Sequence, residues 1–280
     1  MSDFEVFRAT TSLDRLKALG RDESPYTIEV RFLDGLSLTQ QAAFKAAARR
    51  WTRVIVGDQP AAEVPSGPGL PDGVTPGEVI DDIVIVAEGG KMDGPGHVLG
   101  GALPLRFRPN GLPFVGWMRF DSEDLDRLEA DGRLHDVIAH EMGHVLGIGK
   151  TVWRRLGLLS GEGTDEPLFM GQRAGQEYGA LLGSLEAHPV PVENVGGQGS
   201  VGSHWRESVF GDELMTSRVG NATACPLSRL TAAALADLGY EVDMAAVEPY
   251  VLPTPLLLAQ NREQPSELVL HCDMEPPRQL

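Results

Sequence analysis

The sequence is poor in cysteine, in basic runs and in long apolar stretches, and each shortage removes a class of protein. Its two cysteines, Cys225 and Cys272, cannot build a disulfide framework and lack the paired spacing of a zinc-thiolate site. One optional bridge is the most they offer. The N-terminal stretch MSDFEVFRATTSLDRLKALG has no apolar core of signal-peptide length, and no later stretch is apolar for long enough to span a bilayer. The expected location is the cytoplasm, or outside the cell by a route these residues do not reveal. Asp and Glu outnumber Lys and Arg by 40 to 24, for a formal charge of -16, and no Lys/Arg cluster offsets this. Such a surface repels phosphate backbones, so nucleic acid is a poor partner. Acidic residues can also bind calcium, but no calcium loop is visible, and calcium has no motif behind it. Internal repeats are absent too.

What is there suits a folded protein. Hydrophobic residues make up 42% of the chain, enough for a full core at this length, while 33 glycines and 20 prolines promise many turns and long loops. One principal domain is expected over residues 25–252, with residues 1–24 as a leader or docking arm and 253–280 as a Pro-rich tail. In the arm, Leu13, Leu16 and Leu19 hint at a short helix. YTIEVRFL alternates as a strand does, and SLTQQAAFKAAARRWTRVI repeats Phe44, Ala47, Ala48, Trp51 and Val54 at helical spacing. A Pro/Gly-rich loop from about 57 to 77 precedes the strand DDIVIVAE. VLGGALPLRFRP and FVGWMRFD supply further extended segments, and Asp121 is placed to cap a helix beginning SEDLDRLEA. Strands followed by helices predict an α+β domain on a mixed sheet. An insertion spans about 150–195, with a helix near GQEYGALLGSL, and CPLSRLTAAALADLGYEV predicts a packed C-terminal helix through Leu227, Leu230, Ala234 and Leu238. The Asn221-Ala222-Thr223 sequon carries no weight without a secretory signal.

The chemistry concentrates in DVIAHEMGHVLGIG, residues 136 to 149. Leu134, Ile138, Met142, Val145 and Leu146 predict an amphipathic helix, which Gly147 can end. On that helix His140 and His144 project from one face, about a turn apart, where both imidazoles can clamp one metal ion. Glu141 neighbours this face out of line with the pair, as a carboxylate must to act on water and not on the metal. A zinc site needs a further ligand, and Lys150 stands where the compact H-E-x-x-H-x-x-G-x-x-H motif has its third histidine. The open candidates downstream are His188, His204 and His271, with carboxylates such as Glu162, Asp165 and Glu166.

VENVGGQGSVGSHWRESVFGDELMT resembles the matching segment of the leishmanolysin-like zinc metallopeptidases of the metzincin clan, in which a long insertion separates the glycine from the third histidine. The likeness extends over RFL and QQAAFKAAARRW, MRFDSEDL, the histidine helix and PLSRLTAAALADLGY, from about Tyr26 to Val242. With two cysteines the chain is similar to the smaller, bacterial-type members. The resemblance implies a metzincin-like fold: a twisted mixed sheet, a long helix in the N-terminal half, an active-site helix and a C-terminal helix. It implies that His204 is the third zinc ligand, and that Met215 forms a Met-turn beneath the ligands without coordinating. It further implies an endopeptidase that cuts peptide bonds by attack of a zinc-bound water, with Glu141 as the base and one zinc ion as cofactor.

Protein or peptide substrates are the expected partners, added as an extended strand to a sheet edge near LGGALPLRF. Glycines 196, 197, 199 and 202 suit a loop that turns sharply before His204. Trp205, Arg206 and Glu207 read as supports of that loop. Two rivals stay open: a zinc enzyme taking Glu162 or Glu166 as third ligand, and a catalytically silent binding or adhesion module that keeps its metal for stability. Glu141 argues against silence, because a structural site needs no base.

Overall fold

The computed structural model describes residues 4–21, 24–92, 94, 99–197, 199–218, 224–254 and 256–258. His271, Cys272, the Asn221 sequon and nearly all of the Pro-rich tail lie outside them. The chain divides into two compact units, Met1–Leu146 and Gly147–His271.

In the first unit the order is β1 (Glu5–Thr10), α1 (Leu13–Ala18), β2 (Thr27–Phe32), α2 (Leu38–Val54), β3 (Ala62–Glu63), β4 (Val79–Ile80), β5 (Ile83–Gly90), β6 (Gly100–Phe107), β7 (Pro113–Asp121), α3 (Ser122–Ala130) and α4 (Leu134–Val145). Five strands form a mixed sheet in the order β1-β2-β5-β7-β6. The three central strands run parallel, with Val30 opposite Ile85 and Val86 opposite Trp117, and both edges are antiparallel. The N-terminal residues expected as an arm supply β1, which pairs with β2 from Glu5↔Phe32 to Thr10↔Thr27. β6 is the other edge, and Pro104 sits there beside a register shift, where a missing backbone N–H costs little.

α2 begins with a capping box in which Ser37 Oγ accepts from Gln40 N and Gln40 Oε1 accepts from Ser37 N. Its apolar stripe buries Phe44 and Trp51, and each such side chain stabilises by about 1.5–3 kcal/mol. Phe44 meets Phe32 and Phe120 edge-on, at centroid distances of 5.9 and 5.7 Å. α4 approaches β7 so closely that a Cβ on Gly116 would stand 2.1 Å from Val145 Cγ1. Successive strand residues face opposite sides, so Trp117 points away from α4. There it packs with Val84 and Val86 against Val64, Leu70, Val74 and Ile80. The Pro/Gly-rich stretch, expected only as a separator, therefore covers one face of the sheet. Arg31 fastens it by donating to the Gly73 carbonyl and to Glu78.

The second unit contains α5 (Lys150–Arg155), β8 (Leu159–Ser160), β9 (Leu168–Phe169), α6 (Gln172–Leu181), β10 (Val190–Pro191), α7 (Glu207–Phe210) and α8 (Arg229–Leu238). The short strands pair antiparallel in the order β10-β9-β8. α6 has a glycine at its N-cap and takes its acceptor from α8, because Asp237 receives the backbone N–H groups of Arg173 and Ala174 at 3.0 and 2.9 Å. α8 is capped by Ser228 and ends at Gly239, whose φ of 115° is a left-handed stop. Trp153, Phe169, Trp205 and Phe210 form an aromatic core, with Trp153 stacked on Trp205 at 5.1 Å.

Candidate metal centre

α4 carries His140, Glu141 and His144 and is buried on all sides rather than along one stripe, because α2, α3, β6 and β7 all pack on it. Two polar contacts from α2 fix its register. Trp51 Nε1 donates to the Ala139 carbonyl at 2.9 Å, next to His140, and Arg50 pairs with Asp136 at 2.9 Å. Beyond the helix, Gly147 takes a φ of 112°, a conformation that side chains resist. The rings of His140 and His144 lie 4.7 Å apart at 80°, with their Nε2 atoms 2.9 Å from each other. Two ligands of one tetrahedral zinc stand roughly 3.3 Å apart, so this pair is close to clamping geometry. Glu141 is 2% exposed. Burial pushes its carboxyl up to about 8, and Oε2 has no hydrogen-bond partner among the described residues. A buried carboxylate oxygen left so is costly unless something polar or cationic meets it.

His204 lies in the second unit, in backbone without regular structure, and is fully buried. Its Nδ1 is 3.0 Å from the Ser200 carbonyl. A carbonyl only accepts, so Nδ1 carries the proton and Nε2 holds the lone pair, as in a neutral imidazole ready to ligate. The surrounding strand pairing comes from Glu193 N donating to the His204 carbonyl, Gly202 N donating to the Glu193 carbonyl and Arg206 N donating to the Pro191 carbonyl. On the other side Trp205 N donates to the Met215 carbonyl at 3.0 Å. Met215 is thus tied to the residue beside His204, and it is fully buried.

Trp205, Arg206 and Glu207 hold this segment together. Trp205 Nε1 donates to Thr231 Oγ1, Arg206 donates to the Val192 and Pro167 carbonyls, and Glu207 N donates to Glu193. The carboxylates expected as rival ligands are occupied at the surface, Glu162 by Arg154 and Glu166 by Arg206. His188 pairs with Ser184 Oγ. A separate acidic group, Asp58, Asp81 and Asp82, brings its oxygens within 4.8 Å of one another. Its buried member already accepts the N–H groups of Thr27 and Gln59 at 2.8 Å, so Asp82 acts as a backbone clamp. Burial, with Asp81 and Asp58 nearby, still pushes it up to about 7.

The residues that sequence reading missed are Glu193 and Glu213, both buried carboxylates. Glu213 accepts from Met215 N, Ser228 Oγ and Thr231 Oγ1, each at 2.6 Å. The available signal was an acidic residue in a glycine-rich or apolar context, PVENVGG and GDELM, where a solvated charge has no obvious place.

A family model described as leishmanolysin matches residues 68–253, which take in the histidine helix, His204 and Met215. The chain belongs to the leishmanolysin family. A curated relative, leishmanolysin of Leishmania donovani, is 30% identical over 164 residues, covering 55% of this chain and 26% of the relative. The chain therefore spans about a quarter of that relative's length. The family is one of peptidases. Among the described residues, no helix is long and apolar enough to cross a membrane.

Proposed function

We propose that the chain is a zinc-dependent metalloendopeptidase of metzincin type, its peptidase domain lying within residues 25–252. The observation that carries this reading is the histidine pair of α4, whose Nε2 atoms lie 2.9 Å apart beside the buried Glu141, and His204, the third ligand of the reading, is buried in the second unit with its Nδ1 against the Ser200 carbonyl. The donor set suits zinc, since three neutral imidazoles leave one position open in a catalytic site. The unpartnered Glu141 Oε2 fits the same reading, because a nearby cation favours the ionised carboxylate that burial disfavours.

A zinc ion held by these imidazoles supplies positive charge that polarises the scissile carbonyl and acidifies water beside it. His140 and His144 are preset by the register of α4, and the Ser200 carbonyl sets the tautomer of His204. Glu141 Oε2 takes the proton of the attacking water and returns it to the departing amine nitrogen. Met215 supports the ligands from a turn and takes no part in proton movement. β6 offers its outer edge to an extended peptide, whose backbone hydrogen bonds give affinity with wide tolerance of side chains.

The decisive variant is Glu141→Gln, which keeps size and loses the base. It should retain one zinc per chain and lose cleavage of a denatured protein mixture. A variant that still cleaves removes Glu141 from this role. An unaltered chain that binds zinc without cleaving anything supports the silent-module alternative.

A further inference from the structure

We propose that Glu193 is a positioning residue for the zinc site, whose carboxylate sets the loop that presents His204. The proposal rests on reading His204 as a ligand. Glu193 is 1% exposed, yet both oxygens are fully used. Oε1 accepts the N–H groups of Asn194 and Val195 at 3.0 and 3.1 Å, and Oε2 accepts from Glu207 N at 3.0 Å and Ser217 Oγ at 2.8 Å. Its own backbone is committed to the same loop: its N–H donates to the His204 carbonyl and its carbonyl accepts from Gly202 N, both at 2.9 Å.

The arrangement matters because of what the segment lacks. Among the described residues between Asn194 and Ser203 there is no helix or strand, and the loop contains four glycines. Glycine-rich backbone has many conformations to lose, so regular pairing alone does not hold one of them. A carboxylate accepting four hydrogen bonds does. It joins the entry of the loop (Asn194, Val195), the exit after His204 (Glu207) and the segment after Met215 (Ser217) at one point. Hydrogen bonds to a charged acceptor are stronger than neutral ones and are strengthened further by burial. The His204 ring is thereby fixed through its own peptide and through Ser200, four residues earlier in the same loop.

A purely structural carboxylate would lower stability and leave metal affinity alone. A positioning residue acts on the metal, since partners that orient ligands typically carry about 10–100-fold in affinity. The test is zinc competition against a chromophoric chelator for the unaltered chain, Glu193→Ala, Glu193→Gln and His204→Ala, with visible spectra of the cobalt(II) forms. Thermal melting of the metal-free proteins runs alongside. Glu193→Ala should bind zinc about 10–100-fold more weakly and show an altered cobalt spectrum. Glu193→Gln keeps one oxygen acceptor and should fall between the two. If Glu193→Ala does not fold, Glu193→Gln decides by the same readouts. Unchanged zinc affinity and cobalt spectrum in a folded Glu193 variant, with His204→Ala weakened, overturns the proposal and leaves His204 a ligand. His204→Ala binding as tightly as the unaltered chain removes the reading beneath it as well.

Discussion

α4 and the His204 loop both hold imidazoles, by different physical means. α4 is a regular helix whose backbone largely satisfies itself, so its placement depends mainly on shape, Val145 filling the space Gly116 leaves, with two polar contacts from α2, Trp51 Nε1 to the Ala139 carbonyl and Arg50 to Asp136. The His204 loop closes turns of its own, with Ser200 N and Val201 N donating to the Gly197 carbonyl and Ser203 N to the Ser200 carbonyl, and it is further held by acceptors brought from elsewhere in the chain. Glu193 and Glu213 collect between them the N–H groups and hydroxyls of Asn194, Val195, Glu207, Met215, Ser217, Ser228 and Thr231. One region is specified mainly by volume and the other by buried hydrogen-bond acceptors. The first should be the more sensitive to added volume, and the second to loss of a buried acceptor.

The largest effect is expected in the second region. Glu213→Ala leaves the Met215 N–H and the Ser228 and Thr231 hydroxyls without their acceptor in a dry environment, a loss of about 3 kcal/mol. Urea unfolding measures it, and a loss below the usual scatter of surface substitutions would erase the contrast. Next comes Gly116→Ala in the first region. The added methyl meets Val145 Cγ1, and overpacking of this kind costs about 1–3 kcal/mol. The double variant Gly116→Ala with Val145→Ala should recover part of that stability, which sharpens the claim that volume sets the seat of α4.

The smallest effect concerns pH. Asp82 is held up to about 7 in the folded chain against an ordinary 3.8, so folding favours its protonated form. The stabilisation is full below the ordinary value and is lost as pH rises through about 7. The melting temperature of the unaltered chain, compared with Asp82→Asn, should therefore fall between pH 5 and pH 8. A difference that stays flat across this range would mean that the two backbone donors hold Asp82 ionised.

The same contrast explains what the sequence made legible. Helical spacing of Phe44, Trp51, Ile138 and Met142 marked α2 and α4, and Asp121 marked the start of α3, where its side chain accepts from Glu123 N. The spacing of His140, Glu141 and His144 follows from one helical turn, so the helix part of the site could be read locally. β1 was less visible, because an edge strand exposed on both sides of most residues has little apolar alternation. The stretch from about 57 to 77 looked like a loop, and its covering role lies in Val64, Leu70 and Val74, which carry no period. Glu193 and Glu213 were hidden for a stronger reason. Their partners lie up to 24 residues away along the chain, and no local pattern distinguishes a buried acceptor from a solvated acid.

The most direct test of the central claim is zinc content per chain in purified His204→Ala set beside the unaltered protein and Glu166→Ala. The account predicts one zinc in the unaltered chain and in Glu166→Ala, and a clear loss in His204→Ala. Full zinc in His204→Ala, or a loss that follows Glu166 instead, would contradict it.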